Sequence, residues 1–168
     1  GNPNLSLADF VAPNDGGLQD SLGAFAITAG IGAEDLAAAY ERRMDDYHAI
    51  MVKALADRLA EASAEWLHAR ARADWGYGTD EHLSNEDLIA GRYRGIRPAF
   101  GYPACPDQSE HEKVERLLGM STIGIGLSGG YALEPEQSTA AIIAHHPQAV
   151  YFGMKSGFVP AEKKGDEL

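Results

Sequence analysis

Apolar and polar positions change period several times along the chain. Leu5 to Val11 mixes the two and stops at Ala12-Pro13-Asn14-Asp15-Gly16-Gly17, a cluster of turn formers, which predicts a short strand and then a loop. Leu22 to Thr28 alternates small with large residues, the pattern of a buried strand lying close beneath a covering element. From Ala33 to about Ala73 the period becomes helical. Leu36, Tyr40, Met44, Tyr47, Met51, Leu55, Leu59, Ala62 and Trp66 recur every three or four residues, with no proline or glycine in the stretch. One long helix with that face turned to the core is expected. Lys53 and Asp57 would pair weakly on its other side, and Gly76-Tyr77-Gly78 would end it.

Further on, Ser84 precedes Asp87 by three residues just before Leu88-Ile89, the reciprocal cap of a short helix reaching about Tyr93. Arg97 to Pro106 holds three prolines and one glycine in ten residues, so it is expected as a stiff extended loop with its backbone groups largely unpaired. Glu110 to Leu118 reads as a helix. Tyr131 to Leu133, Ser138 to His145 and Ala149 to Met154 read as strands, the last two joined by a turn at His146-Pro147. The irregular alternation predicts an α+β domain, an antiparallel or mixed twisted sheet covered by helices that include one long helix.

Composition narrows the chemistry. The 168 residues suit a single domain, of a size that buries roughly 70% of the unfolded surface. Fourteen Lys and Arg against twenty-five Asp and Glu give a net charge of −11, which repels nucleic acid and anionic membranes. Cys105 is the single cysteine, so neither an intrachain disulfide nor a cysteine metal cluster can form, as expected of a cytoplasmic protein. No apolar run approaches the ~20 residues of a membrane span. The first residues lack a secretory signal, and Gly1 reads as a processed boundary. Gly165-Asp166-Glu167-Leu168 lacks the Lys or His of an ER-retention signal and reads as a chance tail.

Several motifs fall away on inspection. Gly124-Ile125-Gly126-Leu127-Ser128-Gly129 matches G-x-G-x-x-G, but a strand-like run follows it and position 150 is Val where an acid would be needed, so it reads as a coincidental glycine-rich approach to a strand. The six histidines include no pair at i, i+4 spacing, so a metal site is not expected; His48 and His68 are expected at the helix surface or boundary. Ser128 lacks a complete nucleophile elbow. The Arg97 to Pro106 segment leaves two readings open. Arg97 presents its planar fork to a ligand carboxylate, with Gly101 allowing close approach and Tyr102 offering a flat phenol, or it pairs with a structural acid.

The same segment, RPAFGYPACPD, closely resembles the R-P-A-P-G-Y-P-A-C-P-[DE]-H signature of the activation domain of cobalamin-dependent methionine synthase. LADFVAP, LGAFAIT, DDYHAIMVKALADRLAEASAEWLH, WGYG, LSNEDLI and HHPQAVYF follow in the family's order. The resemblance implies S-adenosylmethionine binding in support of reductive methylation of cob(II)alamin, with cobalamin held by a separate module and electrons supplied by flavodoxin or a flavoprotein reductase. Arg97 would hold the ligand's carboxylate and Glu61 would lie at the same pocket. Ala99 and Gly101 would touch the ligand through their backbone, Tyr102 would face the cobalamin, and Tyr151 with Phe152 would complete the nucleoside site. The chain would then be a module of a methyltransferase in methionine biosynthesis, not catalytically complete alone, and no residue of its own would be catalytic.

Departures from the family pattern are local. Phe100 stands where the family has proline and Gln108 where it has histidine, both expected beside the ligand, and LSGGYALEPEQSTAA matches loosely. The likeness begins partway into the family domain, without the N-terminal part whose acid holds the ligand's amino group and without the usual C-terminal helix. A partial domain is therefore expected over residues 1–168: a fragment, a truncated frame, or a subunit completed by another chain. Against the ligand-binding reading stands a scaffold that docks a cobalamin-binding partner without holding S-adenosylmethionine. A dinucleotide enzyme rests on the glycine run alone. Arg92, Arg94 and Arg97 are candidates for the edge of a basic patch that would meet an acidic flavodoxin.

Overall fold

The computed structural model describes residues 5–152. The expected readings at residues 1–4, 153–154 and 165–168 lie outside them. In chain order the elements are β1 (Gly23–Thr28), α1 (Ala33–Glu41), α2 (Asp46–Asp74), α3 (Asn85–Ile89), α4 (His111–Leu118), β2 (Gly126–Leu127), β3 (Leu133–Glu134) and β4 (Ser138–Ile143). This is the expected α+β arrangement, with antiparallel pairing throughout and one long helix.

β1 and β4 pair antiparallel, with Phe25 opposite Ala141 and Gly23 opposite Ile143. Side chains alternate across this ladder and separate two cores. On one face Phe25, Ala141 and Ile143 pack with Ala64 of α2; on the other Ala140 joins Phe100, Val114 of α4, Met120 and Ile125. The sheet is thus sandwiched between α2 and α4. A small side chain opposite a large one keeps each layer thin. At Gly23 a Cβ would meet the Trp75 ring at 2.6 Å, which is the close approach expected of this strand.

The segment after Gly95 departs from the expected free loop. Ile96 and Ala144 exchange both backbone hydrogen bonds, at 2.9 and 3.0 Å, and Ile142 N–H donates to the Pro98 carbonyl at 3.3 Å. With bridges at Ile96–Ala144 and Ala99–Ala141, the chain runs as a third line along the free edge of β4. Pro98 falls where the next ladder N–H would be given and has none, which interrupts a regular strand without detaching it. Beyond it, Gly101 N–H donates to Cys105 O and Cys105 N–H to Tyr102 O, each at 2.8 Å, closing a tight turn with Pro103 at its second position.

The expected single helix over 33–73 is two. Arg42 to Asp45 leaves the helix, Met44 takes a left-handed φ of 59°, and the Asp45 carboxylate caps α2 by accepting from His48 N–H at 3.2 Å. The buried face also differs from the expected one. Ala49, Ala56, Ala60 and Ala64 lie inward, followed by His68 and Arg72, while Leu36, Met44, Tyr47, Met51, Leu55, Leu59 and Trp66 are exposed. Alanines let the helix axis approach the sheet, where larger residues would hold it off. Lys53 pairs with Glu34 and Glu41 of α1 rather than with Asp57.

Smaller corrections follow the same logic. Leu7–Phe10 is a 3-10 helix capped by Ser6 and Asp9, not a strand. The helix capped by Ser84 is present but stops at Ile89, because Gly91 with φ 68° turns the chain. Tyr131 sits in a turn with φ 63°, so the strand beyond it is Leu133–Glu134. Residues 149–152 form no strand, although Ala149 N–H closes the expected turn on His146 O at 2.9 Å. The glycine run leads from a left-handed Gly124 into β2, with no helix behind it.

Candidate functional site

The period of two along 96–100 decides where each candidate side chain goes. Arg97 and Ala99 lie in register with Ile143 and Ala141 and share their face, toward α2; Pro98 and Phe100 turn the other way. Arg97 therefore meets Glu65, one turn along α2 from Glu61, and the two form an ion pair with 19% and 28% of their side chains exposed. Phe100 enters the core under β4 and α4, edge-on to the His111 ring at 5.0 Å. The family proline is thus replaced by a core residue, on the side of the segment away from Arg97.

Tyr151 ties the segment from the other end. Its hydroxyl accepts from Arg97 N–H at 3.0 Å and lies 2.8 Å from the Tyr93 hydroxyl. Burial pushes the Tyr93 phenol's pKa up, so it stays protonated. Burial works against the charge of Arg97, but Tyr93 and Glu65 more than offset it and hold the guanidinium above its ordinary value. Beneath this group lie His68, whose ring meets Tyr93 edge-on at 4.8 Å, and Arg72, stacked over the same ring at 4.6 Å and paired with Glu81 at 2.8 Å. His68 is wholly enclosed, not at the surface; burial first, then Arg72 and Arg97, lower its pKa to about 3.

Of the expected site residues, the structure brings Arg97, Ala99 and Tyr151 together and sets Gly101 and Tyr102 on the adjoining turn. Gly101 has φ 84°, and a Cβ there would come within 2.8 Å of the Gln108 amide. Tyr102 is exposed at the tip. Phe152 packs on Phe10, ring centres 6.3 Å apart. Glu61 is not with Arg97: it is exposed and paired with Arg58 at 2.8 Å. The three arginines of the expected basic patch each face an acid, Arg92 with Asp87, Arg94 with Asp80 and Arg97 with Glu65. Sequence reasoning missed Glu65, Tyr93 and Arg72. The signal for Glu65 was its i, i+4 relation to Glu61, on nearly the same side of the helix.

Among the described residues, Arg97 Nε and Glu65 Oε2 are buried without a hydrogen-bond partner. An unmet donor on a cation beside an unmet acceptor on an anion complements the carboxylate and ammonium of an amino-acid end group. Burial first, and then the nearby Glu110 and Asp107, raise the pKa of the Cys105 thiol, which favours its neutral form. No cluster of metal-ligating side chains occurs among the described residues. No helix among them is long and apolar enough to cross a membrane.

Known proteins resemble this chain over most of its length. A crystal structure of the MetH reactivation domain bound to AdoHcy superposes with a TM-score of 0.85 at 50% sequence identity, covering 88% of this chain and 46% of that one. This chain therefore spans less than half the length of that relative. Residues 1–158 match the family described as the vitamin B12 dependent methionine synthase activation domain, and over nearly its whole length the chain belongs to that family.

Proposed function

We propose that this chain is the S-adenosylmethionine-holding part of a methionine synthase activation module, a partial domain acting on cobalamin carried by a separate module. The observation that carries the reading is the pair of unmet polar atoms, Arg97 Nε and Glu65 Oε2, in the segment that bears the family signature. In this reading Arg97 takes the ligand's carboxylate and Glu65 takes its ammonium. The Ala99 and Gly101 backbone lines the ligand, and Tyr151 and Phe152 flank its nucleoside. Glu61, a turn away and bound to Arg58, reaches the ligand only by leaving that partner. The AdoHcy seen in the relative is the demethylated form of such a ligand.

The ligand supplies a sulfonium methyl group and the cobalamin accepts it. The contribution of the chain is to bind and orient. Arg97 is fixed at its backbone by Tyr151 and at its side chain by Glu65, so little freedom is lost when a carboxylate arrives. Tyr102 is exposed on a proline-stiffened turn, and in this reading it meets the corrin face. The electron donor of this reading is flavodoxin or a flavoprotein reductase. Docking it at Arg92 and Arg94 would exchange Asp87 and Asp80 for the partner's carboxylates. A reducing cytoplasm suits the lone Cys105.

Calorimetry with S-adenosylmethionine and AdoHcy tests the reading. Removing a charge-assisted carboxylate contact costs about 2–3 kcal/mol, so Arg97→Ala should weaken both ligands roughly thirtyfold to a hundredfold. Absence of heat with the unaltered chain, or equal affinity in the variant, would defeat it.

A further inference from the structure

Arg97 lies on the outermost line of the sheet, where its backbone is weakly held. Ile96 exchanges two hydrogen bonds with Ala144, and Ile142 N–H donates to the Pro98 carbonyl, so residues 96 and 98 turn their backbone groups toward β4. Those groups alternate in direction along an extended chain, and the Arg97 N–H therefore points off the sheet. Pro98 has no N–H to give, so the segment lacks one ladder bond immediately beside Arg97. The outward Arg97 N–H is met by a side chain instead: the Tyr151 hydroxyl accepts it at 3.0 Å. A phenol reaching in from a loop holds a backbone in place only if its own position is fixed.

Tyr93 supplies that constraint. Its hydroxyl lies 2.8 Å from the Tyr151 hydroxyl. Tyr93 is 7% exposed and protonated, and a buried O–H is costly to leave without an acceptor. With Tyr93 donating, the Tyr151 oxygen accepts two hydrogen bonds, from Tyr93 O–H and Arg97 N–H, and both of its lone pairs are used. The Tyr93 ring is itself immobilised. Arg72 lies over it at 4.6 Å and His68 meets it edge-on at 4.8 Å. Glu81 closes the arrangement: Oε2 accepts from Arg72 Nε at 2.8 Å, and Oε1 accepts from the Arg94 N–H, one residue past Tyr93, at 2.7 Å. The phenol is thus anchored on α2 and on its own turn at once. We infer that Tyr93 is a positioning residue for the ligand's carboxylate, acting through the Tyr151 hydroxyl on the Arg97 backbone and touching no part of the ligand itself. A guanidinium fork grips a carboxylate at two points only when its plane is held, and the plane is carried by the backbone that this pair of phenols steadies. The inference rests on the reading in which Arg97 takes that carboxylate.

Tyr93→Phe tests it, because it removes one hydroxyl and keeps the ring against Arg72 and His68. Calorimetry should show AdoHcy bound roughly fivefold to tenfold more weakly. An AdoHcy analogue lacking only the carboxyl group should bind the variant and the unaltered chain alike, within a factor of about two, which a general loosening of the fold would not allow. Adding Tyr93→Phe to Tyr151→Phe should likewise change AdoHcy affinity by less than about twofold, since the route through Tyr151 is already gone. Amide exchange needs no ligand: the Arg97 N–H should exchange slowly in the unaltered chain and at least roughly tenfold faster in Tyr93→Phe. Equal losses for the two ligands, an additive double variant, or a fast Arg97 amide in the unaltered chain would each overturn the inference, the last even where Tyr93→Phe does not fold. Absence of AdoHcy binding by the unaltered chain would defeat the ligand reading and the inference together, whereas the other adverse outcomes leave that reading standing.

Discussion

Arg97 and Glu65, 32 residues apart in the chain, close on each other across the gap between the edge of the sheet and α2. Both are mostly covered, so the pair is neither a solvent-screened surface contact nor a fully desolvated one. Replacing Glu65 by Gln leaves the guanidinium facing a neutral amide, which should cost about 1–2 kcal/mol in urea unfolding. If Glu65 also receives the ligand's ammonium, Glu65→Gln should weaken AdoHcy at least roughly tenfold. An analogue without the amino group should lose much less. Equal losses for the two would reduce Glu65 to a support for Arg97.

The buried imidazole of His68 should give the protein a stability limb in mild acid. Folded, it titrates at about 3, because burial and then Arg72 and Arg97 oppose its charge. Unfolded, it takes up a proton near pH 6.5. Above that value both states are neutral and the contribution is constant. Below it the unfolded chain binds more protons, so stability falls as pH falls from 6.5 toward 3. Replacing His68 by Phe keeps an edge-on ring against Tyr93 and removes the titration. Urea unfolding from pH 7 to 4 should show a flatter profile for His68→Phe, and parallel profiles would refute the assignment.

Element types were largely readable from local pattern, whereas the orientation of α2 was not. A three-to-four-residue recurrence says which residues share a face, but it does not say whether that face meets this chain or something outside it. The competing signal was present in Ala49, Ala56, Ala60 and Ala64, whose equal periodicity is muted because alanine carries little hydrophobic weight. The split between α1 and α2 was also marked, by Asp45 as a helix cap. At the site, Arg97 and Tyr151 were nominated by the family signature and stand together. Glu65 was hidden because its partnership depends on residues 96–100 running along β4, a long-range pairing that their prolines argued against.

Phe100 makes a test of which departures matter to binding. It is 8% exposed among Val114, Met120, Ile125 and Ala140. Restoring the family's proline by Phe100→Pro should empty that volume and cost about 3 kcal/mol, the usual scale for deleting a buried aromatic ring. Because the ring points away from Arg97, AdoHcy affinity measured on the folded variant should stay within a factor of about three. A large affinity loss with little loss of stability would place Phe100 at the ligand after all.

Met44 offers the opposite sign. It carries a left-handed φ of 59° and is 92% exposed, so its side chain contributes almost no packing while its Cβ strains the turn. For residues other than glycine that conformation costs roughly 1 kcal/mol. Glycine adopts it without strain, although its unfolded backbone is freer, which returns part of the gain. The turn is required, because Asp45 must leave the helix to cap α2. Met44→Gly should therefore stabilise the protein by about 0.5–1 kcal/mol in urea unfolding. Met44→Val, β-branched and less tolerant of positive φ, should destabilise it. If Met44→Gly instead lowers stability, α1 and α2 are continuous in solution and the break at 42–45 is not part of the fold.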